Sequence, residues 1–103
     1  SSQEATSLSP ESFALVEHKR QVREHLKHHL LHPGNGLEGI VHLRLSLGPA
    51  GTLEELTLLE ATDLRLVEAA REGASSATPY PPFPQEIREH RLPYEFLVQY
   101  RSE

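Results

Sequence analysis

Between Ile40 and Leu59 the sequence alternates twice around a short turn, and this alternation restricts the fold more than any other feature. Val41, Leu43, Leu45 and Leu47 are interleaved with His42, Arg44 and Ser46, the two-residue period of a half-buried strand. Gly48-Pro49-Ala50-Gly51 is short and turn-rich, and beyond it Leu56 and Leu58 alternate with Glu55, Thr57 and Leu59. Two alternating runs on either side of a Gly/Pro loop predict an antiparallel hairpin. Neighbouring acids such as Glu54 and Glu55 are then expected on opposite faces of a strand, unable to share a proton.

The segments flanking the hairpin carry helical periods. Ser9 can cap a helix and Pro10 suits its first position. Behind them Leu15, Val22, Leu26 and Leu30 form an apolar stripe, with Phe13 and Leu31 beside it. Glu17, Lys19, Arg20, Arg23, Glu24 and Lys27 occupy the rest of that helix, which Pro33-Gly34-Asn35-Gly36 stops. After the hairpin, Thr62 or Asp63 can cap a second helix. Its Leu66, Ala70 and Ala74 fall on one i, i+4 row, with Val67 and Ala77 beside it. Small alanines there let a helix lie close on a sheet.

Thr78-Pro79-Tyr80-Pro81-Pro82-Phe83-Pro84 can be neither helix nor inner strand, because proline lacks the donor and fixes φ. A last strand follows over about Arg91 to Arg101, with Leu92, Tyr94, Phe96, Val98 and Tyr100 facing one way. Pro93 within it points to an edge strand, where a missing N–H is tolerated. The expected fold is α+β, in the order α-β-β-α-β. It has a three-stranded antiparallel sheet with both helices packed on one face. Residues 1–9 read as a disordered tail and residues 10–103 as a single domain.

Composition narrows the function classes. The 103 residues suffice for one core only, and 37% apolar content predicts a thin one. A net charge of −5 opposes nucleic acid as a partner, since binding it needs a cationic surface. Without cysteine there is neither a disulfide frame nor a thiolate metal site. No apolar run approaches the ~20 residues of a membrane span, and the chain lacks an initiator Met. It is expected to be a soluble piece of a longer protein.

The run Gly36–Thr62, GLEGIVHLRLSLGPAGTLEELTLLEAT, resembles the C-terminal domain family of TonB and TolA: Gly, alternating strand, Pro-x-Gly turn, alternating strand. Thr62–Ser75, TDLRLVEAAREGAS, is similar to the helix that follows in that family, and Tyr80–Pro84, YPPFP, to its proline bridge. The resemblance spans about Phe13 to Tyr100. The long first helix looks TolA-like, whereas the cysteine pair of many TolA domains is absent. A Tyr-Pro-x-x-Ala segment of the TonB kind and an aromatic-basic motif closing the second helix are also missing.

The resemblance implies a periplasmic domain of an energy transducer, anchored in the inner membrane by an N-terminal helix upstream of Ser1. It implies an ExbB/ExbD-like motor acting through that missing N-terminal part, a TonB-dependent outer-membrane receptor as partner, and iron-siderophore or haem uptake. A TolA-type envelope protein that binds Tol/Pal components, or an adaptor without a motor, is the alternative. The binding element implied is the edge strand Tyr94, Glu95, Phe96, Leu97, Val98, Gln99 and Tyr100, onto which a receptor segment would add as a further strand. The side chains of Tyr94, Phe96, Val98 and Tyr100 themselves read as core, leaving the backbone to bind and Leu97 as the exposed apolar group. An exposed edge also allows a homodimer through exchange of the last strand.

Other candidates are weaker. Of seven histidines, His25/His29 and His28/His32 are i, i+4 pairs of metal-binding spacing, but no third ligand is evident. They read as solvated, gaining charge below about pH 6.5, and no metal or cofactor is expected. YPPFP lacks the adjacent basic residues of a polyproline ligand. No nucleophile elbow or phosphate cradle occurs, so an enzyme is not expected.

Overall fold

The structure, a computed structural model, describes residues 9–30 and 36–101. Helix α1 spans Pro10–His29, strand β1 Gly39–Leu47, strand β2 Leu53–Ala61, helix α2 Arg65–Ser76 and strand β3 Leu92–Tyr100. The expected tail up to Leu8, and the helix stop at Pro33 to Asn35, lie outside the described residues, as do Leu31 and His32.

Ser9 caps α1 as its position suggested: its Oγ accepts the Ser12 N–H at 3.0 Å, with Pro10 opening the helix. The buried row of α1 is Ala14, His18, Val22 and Leu26, an i, i+4 series one residue off the expected Leu15 start. Leu15 and Leu30 are only partly covered and Phe13 is exposed.

The sheet has the order β2-β1-β3, antiparallel throughout, with both helices against one face. Val41, Leu43, Leu45 and Leu47 are fully buried under the helices, as the alternation required. Leu66, Ala70 and Ala74 bury the matching face of α2. That helix starts without a Thr62 or Asp63 side chain at its N-cap, which is Leu64. Asp63 instead accepts the Arg65 N–H at 2.9 Å. Where α2 passes the end of α1, a Cβ on Gly73 would lie 3.2 Å from the Leu30 backbone and closer still to its side chain. The helices can approach there because the residue is glycine.

Two register shifts interrupt the β1–β2 ladder. His42 pairs with Glu60 and Leu43 with Leu58, leaving Leu59 as an extra residue; Ser46 pairs with Glu55 and Leu47 with Leu53, leaving Glu54. The first bulge keeps both Leu58 and Ala61 on the core side. The second overturns the expectation that Glu54 and Glu55 diverge. Arg91 reaches both carboxylates, at 3.6 Å and 2.8 Å, because the bulge breaks the strict alternation between them.

The proline segment is a strut between α2 and β3. Tyr80 is buried, and its hydroxyl donates to the Ala74 carbonyl at 2.7 Å. Its N–H reaches Gly51 O at 2.9 Å, while Phe83 N–H reaches Pro49 O at 2.9 Å, so the strut leans on the hairpin turn. Gly51 has φ +86°, and a Cβ there would sit 2.0 Å from the Tyr80 carbonyl oxygen. No other residue fits without moving backbone.

Candidate functional site: the β3 edge

Among the described residues β3 pairs only with β1, from Gly39↔Tyr100 to Leu47↔Leu92, without a register break. Its other side therefore presents backbone N–H and C=O groups with no described strand beside them. Pro93, opposite Ser46, has no donor, and a proline is accommodated where the N–H would point away from the neighbouring strand. By the two-residue alternation, Glu95, Leu97 and Gln99 turn their backbone polar groups the same way, outward.

The side chains of the strand divide by face. Tyr94, Phe96 and Tyr100 are buried under α1, and Val98 between them is half-buried. Glu95, Leu97 and Gln99 are exposed on the open face of the sheet, with Leu97 72% accessible. The seven residues singled out on sequence are thus brought together as one strand, with Leu97 as its exposed apolar side chain. On the same open face, Arg44 donates to Glu95 at 2.8 Å and the His42 ring N–H reaches the other carboxylate oxygen at 3.1 Å. The Arg44 bond, and then that of His42, hold the Glu95 carboxyl below its ordinary range.

Beneath the strand lies a residue that no motif announced. His18 is buried, with Nδ1 2.8 Å from the Tyr94 hydroxyl and Nε2 2.8 Å from the Pro81 carbonyl. A carbonyl only accepts, so Nε2 carries the proton it donates and Nδ1 takes the hydrogen bond of Tyr94. One imidazole thereby ties α1, the proline strut and β3 together. Phe83 packs edge-on to its ring at 5.2 Å. Burial pushes the Tyr94 hydroxyl up to about 12. The available signal was positional: His18 stands four residues from both Ala14 and Val22, on the row that is buried.

Of the paired histidines of α1, His28 is exposed as expected, but His25 and His29 are not the solvated groups expected. His25 is half-buried, and its Nε2 donates to the Ala77 carbonyl. His29 Nδ1 donates to the His25 carbonyl at 2.9 Å. Each ring thus has one nitrogen committed to backbone, and His25 packs on Tyr80 at 5.4 Å. The pair with His32 lies outside the described residues. Among those described, no three His, Asp or Glu side chains converge to hold a metal ion. No described helix is long and apolar enough to cross a membrane.

No family model matches the sequence, and no curated protein matches it. Among solved structures, the chain is similar to the solution structure of the Helicobacter pylori TonB C-terminal domain. The TM-score is 0.67 at 20% identity, over 94% of this chain and 98% of that one. The fold is that of a TonB C-terminal domain. Coverage of 94% leaves too little of the chain unmatched to exclude the 20-residue α1. The long first helix, which looked TolA-like, is therefore compatible with a TonB fold.

Proposed function

We propose that this chain is the partner-gripping domain of a TonB-type energy transducer. It takes up an extended segment of an outer-membrane receptor as a fourth strand beside β3. In this reading a helix upstream of Ser1 anchors the protein in the inner membrane, and an ExbB/ExbD-like motor there supplies force from the proton gradient. The domain works in the periplasm and pulls on a receptor that admits a scarce nutrient such as an iron-siderophore or haem. No chemistry on a substrate is required of it.

The observation that carries this reading is the regular edge of β3 at Glu95, Leu97 and Gln99, with no strand beside it among the described residues, in a fold shared with a TonB domain. Strand addition draws affinity from main-chain hydrogen bonds, so it needs an accessible, unbroken edge more than a particular set of side chains. Nuclear magnetic resonance titration of the labelled chain with peptides copied from receptor N-termini tests it. The amides of Glu95, Leu97 and Gln99 should shift most. Shifts centred on β2 or on α2 would show that the docking strand is wrongly assigned.

A further inference from the structure

α1 crosses the inner face of β3, and a groove of about 470 Å³ opens where the two diverge. Leu26 of the helix, Leu30 at its C-cap and Phe96 and Val98 of the strand give it an apolar floor, with Arg23 and Lys27 along the helix side. Val98 faces inward like its neighbours Phe96 and Tyr100, yet it is half-buried where they are buried. The groove is the cause: among the described residues, none covers Val98 from the side of the free edge.

Any strand added to β3 would lie about 4.8 Å beyond it, with every second side chain turned toward α1. Those inward side chains would enter this groove. Its charge is distinctive. The chain as a whole carries −5, yet among the described residues the groove is lined by Arg23, Lys27 and Arg101 and by no carboxylate. Arg23 stands 5.9 Å from the centre of the Phe96 ring, and Arg101 donates to Gln99 at 3.2 Å. None of the three has an acidic partner among the described residues.

We infer that the groove selects an acidic segment. The strand that joins β3 carries a carboxylate against Arg23 and Lys27 and an apolar side chain over Val98, both on its α1-facing side. The inference rests on the reading that β3 accepts a strand, and it adds which strand. A second copy of this chain fits poorly as the occupant. The inward face of its β3 would offer Tyr94, Phe96, Val98 and Tyr100, none of them an acid.

Three sequence-matched extended peptides, differing only in Glu, Gln or Lys at the same alternating positions, separate the two claims when titrated into the labelled chain. The Glu peptide should bind about tenfold tighter than the Gln peptide at low salt, and the gap should close as salt rises. In the variant R23E/K27E, whose two exposed substitutions leave the core untouched, the order should invert in favour of the Lys peptide. Circular dichroism confirms that the variant is folded. Equal affinity of the Glu and Gln peptides, with β3 amides still shifting, would overturn the inference and leave strand addition standing. A Glu preference that survives charge reversal would also overturn it. If no peptide moves the β3 amides, both readings fail.

Discussion

The sheet ends in two edges of equal length, and they are built differently. β2 and β3 are each nine residues long, and among the described residues each pairs only with β1. β2 is broken by bulges at Glu54 and Leu59 and carries Glu54, Glu55 and Glu60. Bulges twist an edge and leave its polar groups out of line, and like charges repel a copy of the same strand; both protect against unwanted pairing. β3 has no register break, and its one concession is Pro93 at the start. The lesson is that this fold interrupts the ladder at one edge and keeps it regular at the other, which supports the proposal that β3 is the docking strand. The asymmetry points to β3 without reference to any relative.

The largest effect is expected from a second proline in β3. Leu97 shares the outward orientation of Pro93, so Leu97→Pro removes a donor from the free side while sparing the pairing with β1. Docking of a receptor-derived peptide should weaken by about a hundredfold or more, because the central main-chain bond is lost and the ring blocks close approach. Calorimetry measures it, and circular dichroism checks the fold. Undiminished binding by the folded variant would show that β3 is not the docking edge.

A second test asks how firmly β3 is held from below. In Tyr94→Phe the Nδ1 of buried His18 loses its donor, which costs about 1–3 kcal/mol for an unsatisfied buried group. Urea unfolding should show that loss at neutral pH. The alkaline limb should change too. Tyr94 has its hydroxyl raised from 10.0 to about 12 by burial. Its contribution to stability is complete below pH 10 and fades as the pH climbs toward 12. The phenylalanine variant lacks that fading component, so its stability should fall less steeply over this range. Tyr80 and Tyr100 are raised by burial as well, so some alkaline loss persists. An unchanged alkaline slope would mean that Tyr94 does not titrate from a buried state.

Opening the protected edge is the converse experiment. Deleting Leu59 keeps Leu58 and Ala61 on the core side and restores a continuous ladder opposite Val41 to Leu43. A smoother β2 should gain weak self-association, visible as concentration-dependent sedimentation, with little change in thermal stability. A strictly monomeric deletion variant would show that the bulge does not guard the edge.

What the sequence revealed of this arrangement follows from how far each signal reaches along the chain. The β1 alternation, the Leu66-Ala70-Ala74 row, the Ser9 cap and the edge position implied by Pro93 are local patterns, and all are present. The bulges are not local. Leu59 and Glu54 become extra residues only because β1 runs uninterrupted beside them, and a strand read alone does not show its partner's register. His18 is not legible in the sequence for a related reason. A polar residue on a helix is assigned to water unless its partners are known, and those partners lie 76 and 63 residues away, at Tyr94 and Pro81. The groove cations had the same fate, since Arg23 and Lys27 read as a solvated helix face until β3 is placed beside them.

The smallest expected effect concerns the open face of β3, where Glu95 pairs with Arg44 across the ladder. Arg44, then His42, lower the Glu95 carboxyl from 4.5. A depressed acid stabilises the fold above its unfolded value and loses that contribution as the pH falls through the folded one. Glu95→Gln should therefore differ from the parent at neutral pH and converge with it on acidification below about pH 4. The difference should be slight, because exposed ion pairs are screened by solvent and restrain two mobile side chains. Added salt should shrink it further. Peptide docking should be nearly unaffected, since the Glu95 side chain lies on the open face and only its backbone faces the free edge. A large loss of docking in Glu95→Gln would mean that the partner reads the open face of the sheet, and the contrast between the two edges would then need a side-chain component.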